Sequence, residues 1–242
     1  MIDLSSKKIF LFDLDDTLID TSKSRKLGLE RAYQKLVSEC TSNPHKLPAF
    51  DEFEQELTKL YKSSKDEDGG KFYDYDAKVF EEYCSYLSKI GSGLKHTEFS
   101  LAARLCWHYR QTKNNSLMAR NGAFELLKEI GKTDLIYCVT EGKCNYQHTK
   151  AMLTDIEEMV DSVIVTKEKV SELKGFIEQR GFNKSETVMI GDSENDITAG
   201  KSANVSTICV KHEGRNYDSF KVQADLTVNS LVEVLEHLRS KK

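Results

Sequence analysis

The four apolar residues Ile9-Phe10-Leu11-Phe12 run directly into Asp13-Leu14-Asp15-Asp16-Thr17. Such a run is too short for an amphipathic helix and has the Ile, Phe and Leu content of a strand buried on both faces of a parallel sheet. Asp13 and Asp15 then fall at the carboxyl end of that strand, where open α/β sheets place their ligands. The two carboxylates repel one another and call for compensation. A hard divalent cation with oxygen ligands meets that need, and Mg²⁺ suits a site of one or two carboxylates plus a phosphate.

The pattern recurs far downstream. Val188-Met189-Ile190 leads into Gly191-Asp192-Ser193-Glu194-Asn195-Asp196, a second apolar strand followed by Gly and two aspartates four apart. If both strands are central and parallel, their ends converge on one crevice.

The rest of the chain sorts into two kinds of segment. From 120 onward strand and helix patterns alternate: helices at 121–130, 145–153, 171–180, 195–201 and 230–239, strands at 134–139, 163–166, 187–190, 205–210 and 225–228. With the first strand at 8–13, this alternation predicts an α/β fold, a doubly wound parallel sheet. Residues 22–115 read as helices only, at 22–40, 51–62, 75–90 and 97–111. Their apolar positions include Leu27, Ala32, Leu36 and Val37, then Phe53 and Leu57, Val79, Phe80 and Tyr83, and finally Phe99, Leu101, Leu105 and Trp107, the tryptophan and the tyrosines being assigned to the core of this block. Both prolines of the chain, Pro44 and Pro48, break the first of these helices from the second. The expected division is therefore an α/β core at 1–21 and 116–242 with an inserted all-α domain at 22–115.

At 242 residues the chain accommodates one to two domains. A net charge of −4 with both signs mixed argues for neither nucleic acid nor an anionic membrane as partner. Cys40, Cys84, Cys106, Cys138, Cys144 and Cys209 are scattered without a C-x-x-C, which reads as reduced thiols in a cytoplasmic protein. Lys7-Lys8 before the apolar run imitates a signal peptide, but the run is short and Asp13 breaks it. No stretch approaches the length of a membrane span.

Taken together, these segments resemble the haloacid dehalogenase superfamily, most of whose members are Mg²⁺-dependent aspartyl phosphatases. Asp13-Leu14-Asp15-Asp16-Thr17 is similar to its first motif and Gly191-Asp192-Ser193-Glu194-Asn195-Asp196 to its fourth. Leu135-Ile136-Tyr137-Cys138-Val139-Thr140-Glu141-Gly142 resembles the second, a strand ending in Thr or Ser. The third is a lysine before a helix, which Lys169 or Lys167 could supply. Glu168-Lys169 matches the way some members present it, as does the helix carrying Gln147 and Lys150. In the family an insert between the first two motifs is a cap that closes over the substrate.

The resemblance implies a set of roles. Asp13 is the nucleophile that takes the phosphoryl group, and Asp15 is the general acid and later base. Asp13, Asp192 and the backbone carbonyl of Asp15 hold Mg²⁺. Asp196 completes the outer shell of the metal or orients the lysine; alternatively it is only an acid at a helix N-terminus. Thr140 donates to a phosphate oxygen, with the N–H groups of Glu141 and Gly142 adding donors at a helix start, or else Thr140 merely caps that helix. Glu141 departs from the commoner Asn or Gly and brings negative charge near a phosphate. His108, His148, the acidic run Asp66-Glu67-Asp68 and the loop His212-Glu213-Gly214-Arg215 are assigned no part in the chemistry.

The expected activity is hydrolysis of a small phosphorylated metabolite. A phosphomutase would use the same aspartates. A dehalogenase would have no need of Asp15, since halide leaves without a proton. A purely binding protein would have no reason to cluster repelling carboxylates.

Overall fold

A computed structural model describes residues 3–39, 47–63, 75, 77–89 and 98–240. The acidic run at 66–68, the part of the first inter-helix connection at 41–46 that includes Pro44, and Cys40 lie outside these. The chain divides into two compact units, one of Met1–Ser22 with Leu117–Lys242 and the other of Lys23–Ser116.

The first unit is built on a six-stranded sheet, every pairing parallel. Its strands are β1 (Ile9–Phe12), β2 (Leu135–Glu141), β3 (Ser162–Thr166), β4 (Thr187–Gly191), β5 (Ser206–Val210) and β6 (Leu226–Val228), in the order β3-β2-β1-β4-β5-β6. The order reverses direction at β1, between β2 and β4. That reversal opens a crevice at the carboxyl ends of the central strands.

Alternation along β1 explains why all four of its residues are buried. Phe10 and Phe12 join Ile136, Cys138, Val188 and Ile190 on one face, against Leu126, Leu127, Leu231 and Leu235 of helices α5 (Ala123–Ile130) and α9 (Leu231–Arg239). Ile9 and Leu11 join Tyr137, Val139 and Met189 on the other. There they meet Leu173 and Ile177 of α7 (Lys169–Gln179) and Ala199 of α8 (Glu194–Ser202). Each such side chain contributes roughly 1.5–3 kcal/mol on burial. The strand that carries Asp13 is thus clamped from both sides.

Helix α6 (Cys144–Leu153) connects β2 to β3. The strands lie within about two residues of their expected bounds. The consequential shifts are at β2, which runs on through Thr140 and Glu141, and at α7, which begins at Lys169 rather than at 171.

Every described element wholly within the second unit is helical: α2 (Phe50–Ser63), α3 (Ala77–Lys89) and α4 (Glu98–Asn115) follow α1 (Thr21–Glu39), which begins at the end of the first unit's segment. Leu29, Ala32, Leu36, Phe53, Val79, Phe80, Tyr83, Leu101, Leu105 and Tyr109 form its core. Phe53 meets Tyr83 edge to face, with ring centroids 5.1 Å apart, the geometry favoured by aromatic quadrupoles.

Four apolar residues depart from the core assignment. Leu27, Val37, Phe99 and Trp107 are exposed. On α4 the reason is angular. Leu101, Leu105 and Tyr109 repeat every four residues and face inward, whereas Phe99 and Trp107 are offset by two residues, about 200° around the helix.

Candidate active site

Asp13 follows β1 and is fixed by its backbone, its N–H donating to Ile190 O at 2.9 Å. Its carboxylate is buried, and Lys169 Nζ donates to Asp13 Oδ1 at 2.6 Å. The same ammonium donates to Asp196 Oδ1 at 2.5 Å. Lys169 is 2% exposed. It is the first residue of α7, so its long side chain reaches from the helix start into the crevice. Lys167, the alternative, is exposed and is not part of this cluster. Its backbone N–H donates to Glu172 Oε1 at 3.0 Å, an N-terminal turn that leaves the side chain outside. Of the two candidate lysines, the structure brings Lys169 to Asp13 and leaves Lys167 outside the cluster.

Asp196 has both oxygens engaged. Oδ1 accepts from Lys169, while Oδ2 accepts from Ser193 N at 3.0 Å and Ser193 Oγ at 2.5 Å. This is a capping box on α8, which satisfies donors at the helix N-terminus. Asp196 therefore holds the lysine and caps the helix at once. Gly191 makes the approach possible, because a Cβ there would lie 2.4 Å from Asp196 Cγ.

Asp192 follows β4 and is 1% exposed. Thr17 Oγ1 donates to its Oδ1 at 3.3 Å. Its Oδ2 has Arg215 Nε at 2.5 Å as an ion pair, without the alignment of a hydrogen bond. Arg215 belongs to the loop given no role above; His212 of the same loop lies 3.7 Å from Asp16 and 3.6 Å from Asp20.

Asp15 occupies a different environment. Lys150 Nζ donates to both of its oxygens, at 2.8 and 2.7 Å. Thr21 Oγ1 and Gln147 Nε2 donate at 2.5 and 3.1 Å. Gln147 and Lys150 are both buried on α6, three residues apart and so on one face. Gly142, at φ 152°, admits the amide, since a Cβ would sit 2.5 Å from Gln147 Nε2. Lys150 and Gln147 were read only as marks of a subgroup. A buried Gln-x-x-Lys on the helix after the second motif was the available signal.

These surroundings push the acids apart. Burial, with Asp196 adding to it, raises the Asp13 carboxyl well above the usual range against the pull of Lys169. Burial also raises Asp192, to about 7, with Arg215 opposing. Burial acts on Asp15 in the same sense, but Lys150, Thr21 and Gln147 more than offset it and hold that carboxyl below its ordinary value. Lys169 is likewise opposed by burial and raised above its ordinary value by Asp13 and Asp196. Two acids two residues apart thus differ in proton affinity: before an ion or substrate binds, Asp13 favours its proton and Asp15 its charge.

Thr140 is buried at the end of β2. It does not cap α6, whose N-cap position is Lys143 and carries no side-chain capping bond. Nor is the Gly142 N–H available as expected: it donates to Thr166 O at 3.1 Å. The extension of β2 along β3 engages that donor in the sheet rather than leaving it to a phosphate oxygen. The Glu141 carboxylate accepts from Asn195 Nδ2 on α8.

One oxygen each from Asp13, Asp192 and Asp196 lies within 4.8 Å of the others. An all-carboxylate donor set fits a hard cation such as Mg²⁺, which would compete with Arg215 for Asp192 Oδ2.

The family model for haloacid dehalogenase-like hydrolases matches residues 10–210. The chain belongs to this family. It is an enzyme, a phosphatase-like hydrolase. It is 25% identical to glyceraldehyde 3-phosphate phosphatase of Pyrococcus furiosus, over 96% of this chain and 92% of that one. It is 27% identical to PpaX of Clostridium perfringens, a provisionally named pyrophosphatase, over 94% and 98% respectively. Among solved structures, the magnesium-bound YfnB of Bacillus subtilis shares the fold at a TM-score of 0.66 and 18% identity, covering 96% of this chain and 99% of that one. Among the described residues, no helix is long and apolar enough to cross a membrane.

Proposed function

We propose that this hydrolase cleaves a small-molecule phosphomonoester in two steps through an aspartyl-phosphate on Asp13. The observation that carries the reading is the buried Asp13–Lys169–Asp196 cluster beside Asp192, at the ends of the adjacent central strands β1 and β4. An Asp13 oxygen attacks phosphorus as the ester oxygen leaves. Lys169 lies against that carboxylate and faces the charge that gathers on the phosphoryl oxygens. Asp15, a carboxylate while Lys150 holds it, takes up a proton from solvent as substrate enters, gives it to the leaving oxygen, then takes one from the water that hydrolyses the acyl phosphate. To do so it exchanges Lys150 for the substrate oxygen. Thr140 offers its hydroxyl to the phosphoryl group.

Asp13, Asp192 and the Asp15 carbonyl would hold Mg²⁺, with Asp196 behind them keeping Lys169 in place. When bound, the ion neutralises the phosphoryl oxygens and draws Asp13 into its ionised form. The helical unit at 23–116 serves as a cap in this reading and selects a small substrate. The free thiols Cys84, Cys106, Cys138, Cys144 and Cys209 suit a cytoplasmic location.

The test is p-nitrophenyl phosphate hydrolysis by parent and Asp13→Asn proteins, with acid-quench trapping of a hydroxylamine-sensitive phosphoenzyme. Parent turnover with a trapped intermediate, both absent in the variant, is the expected outcome. Turnover by Asp13→Asn near the parent rate would remove the nucleophile assignment.

A further inference from the structure

Glu141 stands out once the charges of the crevice are paired. Lys150 pairs with Asp15, Lys169 with Asp13 and Asp196, and Arg215 with Asp192. Glu141 has only the neutral Asn195 amide; among the described residues no cation pairs with it.

Its position follows from the strand order. Glu141 ends β2, and Asn195 stands in α8 directly after β4. β2 and β4 flank β1 on opposite sides. A contact between Glu141 and Asn195 therefore spans the carboxyl end of β1, where Asp13 lies. The Glu141 main chain is held there too. Gln147 Nε2 donates both to Glu141 O, at 2.6 Å, and to Asp15 Oδ2, at 3.1 Å. The amide thus ties the Glu141 backbone to the carboxylate that faces the leaving group. Glu141 is only partly buried, so its charge is presented to whatever enters.

We infer that Glu141 sets substrate specificity: the enzyme selects phosphomonoesters whose leaving group is neutral or cationic and carries hydrogen-bond donors, and rejects those whose leaving group is anionic. A hydroxyl or ammonium near the ester oxygen can donate to the Glu141 carboxylate, whereas a second phosphate or a carboxylate is repelled by it. The inference rests on the phosphatase reading and sharpens it. Of the two activities named among the relatives, it favours a triose phosphate, whose leaving group is neutral, over pyrophosphate.

The experiment compares kcat/KM for phosphoethanolamine, glyceraldehyde 3-phosphate, phosphoglycolate and pyrophosphate, with p-nitrophenyl phosphate as a generic substrate. The parent enzyme is expected to prefer the first two. Glu141→Gln keeps the shape and the Asn195 contact through its amide oxygen. It should raise the ratio of anionic to neutral substrates by about tenfold, the effect of one charge pair at roughly 6 Å in a half-solvated site. It should lower the phosphoethanolamine-to-neutral ratio by a similar factor. Glu141→Asn provides the same comparison if the first variant folds poorly. A parent enzyme indifferent to leaving-group charge, or ratios that both variants leave unchanged, would overturn the inference while the phosphatase reading stands. Failure to hydrolyse any of the five, p-nitrophenyl phosphate included, would overturn both.

Discussion

Replacing Lys169 with Met removes one ammonium from between two buried carboxylates and keeps most of the side-chain volume. Asp13 and Asp196 then face each other without the cation that now lies 2.6 and 2.5 Å from them. Breaking a buried pair by deleting one partner costs about 3–5 kcal/mol, and here one lysine serves two acids. We expect a loss in that range at pH 8 by equilibrium urea denaturation, together with loss of turnover. The deficit should be pH-dependent. Asp13 already has a raised folded-state pKa, and without Lys169 it rises further. A raised group contributes stability below its unfolded pKa and loses it as pH climbs through its folded one. The variant should therefore recover toward the parent as pH falls from 8 to 5, by up to about 1.4 kcal/mol per pH unit for each proton taken up. A second change, Asp196→Asn, removes one of the two charges and should restore a substantial part of the loss at pH 8. A deficit below about 1 kcal/mol, the scale of a surface pair, or one equal at pH 5 and pH 8, would refute the idea that Lys169 balances buried charge.

Lys167→Ala should leave turnover intact and change stability by no more than about 0.5 kcal/mol; a severe effect would move the motif lysine by two residues. With Asp192 raised to about 7, protons compete with Mg²⁺. Calorimetric Mg²⁺ affinity should climb from pH 5 to 7 and level off above, and turnover should stop with a chelator; a flat affinity profile would exclude Asp192 as the titrating ligand. Asp15→Asn should cost about 10²–10⁴-fold on alkyl phosphates and less on p-nitrophenyl phosphate, whose leaving group needs no proton; equal losses would count against proton transfer. Lys150→Met removes the main influence holding the Asp15 carboxyl down, so any limb of the pH–kcat/KM profile that reports Asp15 should move to higher pH, and an unmoved profile in that variant would show that Asp15 does not set it.

Strand and helix periodicity is a local property, and it carried far. The sheet, its parallel sense and the placement of Asp13 and Asp192 at strand ends follow from short apolar runs that end in acids, because a buried strand has to discharge its polar residues where it leaves the core. The helical character of the described residues between 22 and 115 was legible for the same reason. Which face of each helix turns inward was less so: on α4 two interleaved four-residue repeats, one of them containing Phe99 and Trp107, are both apolar, and only packing chooses between them. The choice between Lys167 and Lys169 depended on where α7 begins, a boundary that propensity blurs by a turn. Contacts between distant segments were beyond local reading altogether. Lys150 reaches Asp15 across 135 residues of sequence, and Glu141 reaches Asn195 across 54. The proton affinities of Asp13, Asp15 and Asp192 follow from such contacts and from burial. The residue types were present in the sequence, but a charge acquires its partner only when the sheet order sets one strand end beside another.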